Sequence, residues 1–207
     1  MDGRFETYIR ERRGFAAAPT HDGMTMVIVG WPYAEFAANK EDIEGNYLKT
    51  IAMAEPFAPR LADAKRMTRY AGAAVPNYFR KPYGPGFALV GDAGYNRDFI
   101  TGQGILDAFR DSELCAAALD LALSGQRAFD AAMADYQRQR DAQVKSMYDF
   151  TCGLATLEPP PPEMGELFQA VHGNRKAMNR FAQMNAGTIR PAEFFAPESV
   201  AEIMSAG

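Results

Sequence analysis

"GDAGYNRDFITGQGI", residues 91–105, decides how this chain is read. The run ahead of it, Phe87-Ala88-Leu89-Val90, is apolar and strand-like, and a long helical pattern follows it. A strand ending in Gly91-Asp92 sets a lone carboxylate at its carboxyl end, the side on which open α/β sheets bind ligands. Farther on, Gly102-Gln103-Gly104 opens the helix with glycine, the poorest helix former after proline. Glycines there let the backbone take left-handed dihedrals and let a flat ligand come close. The helix start offers unpaired N–H groups and about half a unit of positive charge, which favours an anion.

Outward from this stretch the chain reads as strands before it and helices after it. Phe15–Ala18 and Met24–Val29, joined by a turn at Asp22-Gly23, predict an antiparallel hairpin that Trp31-Pro32-Tyr33 ends. Asn39, with Asp42 three residues on, reads as the N-cap of a helix reaching about Ala54, with Ile43, Tyr47, Ile51 and Ala54 on one face. A short helix over Pro59–Lys65 follows. Thr68–Phe79 then looks extended, with Val75 pushed towards the β region by Pro76. Lys81–Gly86 is a turn-rich joint.

The helix after the quoted loop is predicted from Gln103 to Leu123. Ile105, Ala108, Phe109, Ser112, Ala116 and Leu119 form its buried face, widened by Leu106 and Leu114. A second long helix spans about Phe129–Leu157. Its stripe of Phe129, Met133, Tyr136, Val144, Met147, Thr151 and Leu154 is interrupted by Arg140. Pro159–Pro162 stops it as polyproline II. Helices at Glu163–Val171 and Arg175–Asn185, an irregular link over Pro191–Pro197 and a last turn at Glu198–Met204 complete the pattern.

Composition narrows the function. With 207 residues and a net charge of -4, the chain lacks the concentrated basic surface that nucleic acid requires. The cluster Arg10-Glu11-Arg12-Arg13 reads as a solvated face. Cys115 and Cys152 have no ligand-like spacing and read as two buried free thiols, with no metal site. There is no signal-like opening and no run of the ~18 apolar residues that a membrane span needs, so a cytoplasmic protein is expected. His21 reads as a turn residue and His172 as a helix-end residue, so neither offers a general base, and no catalytic side chain stands out. Asp111 reads as a buried pairing or a solvated face, and Arg97 with Asp98 as a surface ion pair. Trp31, Tyr33, Tyr70, Tyr78, Phe79 and Tyr83 read mostly as core around the sheet.

A carboxylate that accepts from hydroxyls, beside a helix end that stabilises negative charge on a flat ring, suits the ribityl chain and pyrimidine edge of a reduced flavin. Gly91-Asp92-Ala93, Gly102-Gln103-Gly104, Ala108 and Asp111 resemble the second flavin motif of FAD-dependent aromatic hydroxylase-type monooxygenases, whose broader motif is shared by halogenases and geranylgeranyl reductase-like oxidoreductases. "RGFAAAPTHDG", "VGWPY" and "AVPNYFRKPYGPGFALVGDAGY" extend the resemblance along nearly the whole chain, as the carboxyl-terminal half of such a protein. The resemblance implies that Asp92 bonds the ribityl or pyrophosphate region of FAD. Amides near Gly104 and Ile105 would face the pyrimidine edge, and Gly102 would give the loop room to pass the ring. Gly91, Ala93 and Gln103 complete the expected cofactor-binding set.

Two positions depart from the family pattern: Phe99 stands where proline is common, and Gly94-Tyr95 where many relatives have Ala-His. The G-x-G-x-x-G fingerprint that holds the ADP half of FAD is absent, because Gly84-Pro85-Gly86 precedes its strand instead of following it. The expected fold is therefore a mixed α/β (α+β) one without the dinucleotide-binding βαβ unit. Residues 1–83 would form a partial substrate-domain sheet and helix, 84–125 the strand-loop-helix flavin segment, and 126–207 a helical carboxyl-terminal region. The expected function is that of a FAD-dependent, NAD(P)H-using monooxygenase acting on a small organic molecule, with its ADP-binding half supplied in cis or in trans. The alternatives are a FAD-dependent reductase of isoprenoid double bonds and a non-catalytic helical interaction module that keeps the motif as scaffold.

Overall fold

The structure, a computed structural model, describes residues 3–55, 57–74 and 76–205, so the expectation for Val75 lies outside the described residues. The chain divides into two compact units, residues 1–75 with 155–159 and residues 76–154 with 160–207.

The first unit is built on a three-stranded antiparallel sheet of β1 (Glu6–Arg10), β2 (Arg13–Pro19) and β3 (Thr25–Gly30). The predicted hairpin is β2–β3, with Phe15 opposite Val29 and Ala17 opposite Val27. Its turn holds Asp22 at φ 53° and Gly23 at φ 68°. Strand β1 was not predicted. It is joined to β2 by Glu11-Arg12 at φ 49° and 58°, a hairpin loop of the I′ kind made without its usual Asn-Gly signal. The basic cluster is thus a hairpin tip.

Helices α1 (Phe36–Glu41) and α2 (Ile43–Ala52) replace the single helix expected from Asn39. Asn39 lies inside α1. The cap is Asp42, whose carboxylate accepts from the Gly45 amide at 2.8 Å and so satisfies one of the free donors of the first turn. Ile51 and Ala54, with Tyr47 beside them, pack on Phe15, Ala17 and Phe57 to form this unit's core. The Pro59–Lys65 helix is only a 3-10 turn, Ala58–Leu61.

The second unit carries four two-residue strands: β4 (Tyr78–Phe79), β5 (Tyr83–Gly84), β6 (Phe87–Ala88) and β7 (Tyr95–Asn96). β5 and β6 pair antiparallel around Pro85-Gly86, with Gly86 at φ 78°, and β4 pairs antiparallel with β7. The apolar run before the quoted loop, expected as a short strand, is paired over only two residues, Phe87 and Ala88. After it, the Leu89 amide bonds the Pro82 carbonyl at 2.7 Å.

Helices α3 (Gly104–Leu123) and α4 (Phe129–Leu154) pack through Cys115, Ala118, Ala132, Met133 and Tyr136. The remaining helices are α5 (Pro162–Val171), α6 (Arg175–Asn185), α7 (Pro191–Phe194) and α8 (Pro197–Ser205). They close over a second core of Met147, Leu167, Val171, Ala177, Met184, Phe194 and Ile203. α7 occupies the segment expected to be an irregular link, and Pro162, at the first position of α5, starts that helix as proline commonly does. Of the two thiols, Cys115 is buried and Cys152 only half-buried.

The face of α3 differs most from expectation. Ile105 and Phe109, placed on its buried side by periodicity, are 77% and 74% exposed. The side that is buried carries Asp107, Asp111, Cys115 and Ala118. Acidic residues can turn inward here because cationic partners meet them, as the site geometry makes plain.

Candidate functional site

The loop from Gly91 to Gly104 folds back so that its two ends meet at the start of α3. Gly91 is buried at φ 52°, its N–H donates to Asp111 Oδ2 at 3.2 Å, and a Cβ added to it would lie 3.1 Å from that of Ala108. The motif's first glycine and the helix's Ala and Asp, which the resemblance groups into one motif, are thus one packing unit. Gly91→Ala is expected to destabilise the second unit by about 1–3 kcal/mol, through left-handed strain plus the contact with Ala108. Urea unfolding followed by circular dichroism measures it.

Asp92 is exposed immediately beyond this anchor. Its backbone carbonyl accepts from the Tyr78 hydroxyl at 2.6 Å, and its carboxylate has no hydrogen-bond partner among the described residues. The carboxylate leans to the helix start: a Cβ on Gly104 would lie 3.8 Å from Asp92 Oδ1. Gly102 stands in the left-handed region at φ 64°, and α3 begins at Gly104 with no side-chain cap on its first turn. The amides of Gly104, Ile105 and Leu106 therefore have no intrahelical acceptor.

Asp92, Ala93, Gly102, Gly104 and Ile105 are all exposed on this rim. Gly91 and Gln103 are not: Gly91 is the buried anchor, and Gln103 turns inward to donate to the carbonyls of Thr101, at 3.2 Å, and Asn185. The rim is an open surface. The concavities lined by Glu166, Gln169, His172 and Asn174, or by Arg180, Ser199 and Glu202, contain none of these residues.

Beneath the rim lies a buried charge network that sequence reasoning missed. Arg97 and Asp98 are not a surface pair. Arg97 is buried and bonds Asp107, while Asp98 caps the short turn Phe99–Thr101 by accepting from the Ile100 amide at 2.9 Å. Phe99, the first residue of that turn, is itself 52% exposed. Burial pushes the Asp98 carboxyl above its usual range, against the lowering effect of the Ile100 amide.

Arg110 reaches Asp107 Oδ1 at 2.9 Å, Asp111 Oδ1 at 3.3 Å and the Tyr95 hydroxyl at 2.9 Å. Burial raises the Asp111 carboxyl, with Arg110 and the Gly91 amide opposing it. The Tyr95 phenol is raised by burial first and then by Asp107 and Asp111.

Arg140, the apparent interruption of the α4 stripe, has no exposed surface. It lies 4.8 Å from the Phe79 ring centre and 5.5 Å from that of Tyr95, and donates to the Arg80 carbonyl at 2.9 Å and to Asp141 at 2.8 Å. A Cβ on Gly94 would lie 2.9 Å from Arg140 Nη1. Gly94 makes room for this guanidinium and Tyr95 packs against it, so both members of the Gly94-Tyr95 departure answer to one side chain. The available signal was a single cation at helical spacing within an otherwise apolar stripe.

The charge-accepting amides, the free carboxylate and the space left by Gly102 and Gly104 fit a group with hydroxyls at one end and a flat, electron-accepting ring at the other. No protein-family model and no curated protein matches the chain. Among solved structures it is similar to PqsL from Pseudomonas aeruginosa, a probable FAD-dependent monooxygenase, with 28% identity and a TM-score of 0.58 over 74% of this chain and 43% of that one. It is also similar to PqsL in complex with 2-aminobenzoylacetate, with 26% identity and a TM-score of 0.60. The chain thus spans less than half the length of PqsL. Among the described residues no helix is long and apolar enough to cross a membrane. In sequence and in fold, this chain is similar to part of a FAD-dependent monooxygenase.

Proposed function

We propose that this chain supplies the ribityl and pyrimidine side of a FAD site, together with substrate-side structure, in an NAD(P)H-dependent monooxygenase of a small organic molecule. The observation that carries the reading is the convergence of the partnerless Asp92 carboxylate and the uncapped amides of α3 on one rim, separated in sequence by a loop that Asp111 and Asp98 hold in shape. Asp92 accepts from ribityl hydroxyls. The amides of Gly104 and Ile105 face the pyrimidine edge and favour negative charge there, a preorganised electrostatic contribution. Ala93 and Gly102 leave the ring room. When bound, the flavin supplies electron transfer from NAD(P)H and activation of dioxygen. The ADP half of FAD is held by a dinucleotide-binding unit, in cis or in trans, since this sequence carries no G-x-G-x-x-G.

The experiment joins the portion of PqsL outside the match to this chain and measures flavin absorbance, NAD(P)H oxidation and oxygen uptake. 2-Aminobenzoylacetate, found bound in PqsL, serves as the first aromatic acid to try. Flavin retention with oxygen consumed and oxygenated product formed is expected. NAD(P)H oxidation that reduces an isoprenoid double bond without oxygen uptake would replace the monooxygenase by a reductase. A colourless, folded assembly would leave the non-catalytic module.

A further inference from the structure

Between α6 and α8 lies a small concavity whose polar wall is Asn174, Lys176 and Arg180 on one side and Ser199 and Glu202 on the other. Its volume is about 70 Å³. A water molecule takes about 30 Å³ in the liquid, so a single carboxylate or phosphate group is the size of guest it suits. Most of its polar atoms are donors, and most of those are unengaged. Ser199 is 8% exposed, and its hydroxyl is buried without a hydrogen-bond partner among the described residues. Arg180 is half-buried. Its Nε is buried and bonds nothing, and its guanidinium makes no hydrogen bond with any described residue. Asn174 caps α6 by accepting from the Ala177 amide at 3.1 Å, and its own side-chain NH2 has no acceptor among the described residues. The carboxylate of Glu202 accepts from Lys176. That bond, and then the charges of Lys176 and Arg180, hold the Glu202 carboxyl below its usual range. Ser199 also stands in the first turn of α8, at the positive end of that helix.

We infer that this concavity is an oxyanion site, which takes the carboxylate or phosphate group of a small ligand. Folded proteins leave few buried polar groups unpaired, and a wall with three unengaged donors calls for an acceptor to fill it. Water alone would satisfy the Ser199 hydroxyl. The guanidinium beside it selects an anion, because Arg presents a planar fork of donors that matches carboxylate and phosphate oxygens. The charges agree. Lys176 and Arg180 face a single carboxylate, that of Glu202, so one positive charge is in excess on the wall. A cationic guest would find only Glu202, which Lys176 already holds. The inference stands apart from the flavin reading, since no residue of the Asp92–Ile105 rim lines this concavity.

The test follows thermal unfolding of the full chain by circular dichroism as inorganic phosphate or acetate is added, with NaCl keeping the ionic strength constant. A ligand that binds only the folded state raises Tm, so a saturable rise is expected, half-complete at about 1 mM anion or below. Arg180→Gln is expected to shift the half-saturation point upward by about tenfold or more, the worth of a charge-assisted hydrogen bond. Ser199→Ala is expected to shift it by about threefold or more, while Tm without anion stays equal or rises, because the hydroxyl removed had no partner. A hydroxyl with a purely structural role would instead lower that Tm. Ser199→Ala carries the comparison by itself if Arg180→Gln does not fold. Lys145→Gln, which removes an exposed cation outside the concavity, should leave the titration unchanged. A stronger response to phosphate assigns a phosphorylated ligand, and a stronger response to acetate a carboxylate. A parent Tm that neither anion moves would overturn the site. So would a rise that survives undiminished in Arg180→Gln and Ser199→Ala, which would place the anion elsewhere on the chain.

Discussion

Asp92→Ala is expected to weaken FAD binding by the assembled protein by about 1.5–3 kcal/mol, roughly 10- to 150-fold in affinity, the ordinary worth of hydrogen bonds to a charged group. The side chain has no structural task to confuse the result. The fold holds residue 92 through its backbone and its neighbour: the Tyr78 hydroxyl bonds its carbonyl, and Asp111 bonds the Gly91 amide. The carboxylate itself is exposed and bonds nothing among the described residues. Stability should therefore change by no more than about 0.5 kcal/mol, as for other surface substitutions. Asp92→Asn keeps an acceptor oxygen without the charge and should fall between the two in affinity. Flavin fluorescence titration of the three proteins decides the matter, and an alanine variant that binds within about threefold of the parent, under 1 kcal/mol, would remove Asp92 from the site.

Asp107→Ala is the prediction with the largest effect on folding. Its carboxylate is the hydrogen-bonded ion-pair partner of the buried Arg97 and one of two carboxylates held by Arg110. Removing it leaves a guanidinium buried without its counter-charge, a loss of about 3–5 kcal/mol. The cost comes from the stranded charge and not from the pair itself. The double variant Arg97→Met/Asp107→Leu should therefore recover most of the stability, since apolar residues of similar size often replace a buried pair without loss. Urea midpoints of the parent, single and double variants form the comparison. A double variant no more stable than Asp107→Ala would show that the network contributes more than mutual neutralisation.

These charges also explain which parts of the fold were legible in the sequence. Element boundaries came through where the pattern was strong and local. The β2–β3 hairpin stands where Asp22-Gly23 placed it, and α3 begins one residue after the predicted start. The facing of α3 was misread because periodicity assigns carboxylates to the solvent side, whereas Asp107 and Asp111 are drawn inward by Arg97 and Arg110, residues distant in sequence or next to them on the helix. Arg140 was misread for the same reason. Its partners, the Phe79 and Tyr95 rings and the Arg80 carbonyl, lie far up the chain. Strand β1 was missed because its connection to β2 uses Glu11-Arg12 in a conformation that sequence normally signals with Asn-Gly. The candidate site was legible through two short glycine-bearing segments and their resemblance to a flavin motif. The anchoring that shapes it, Asp111 to Gly91 and Asp98 to Ile100, follows only once the chain is folded.

The packing of Gly91 on Ala108, with Asp111 gripping its amide, has a mechanical consequence. Residue 92 and the first two turns of α3 are held together across a contact in which a methyl added at Gly91 would lie 3.1 Å from that of Ala108. A group that settles on this rim would meet the Asp92 side chain and the start of α3 at a preset separation.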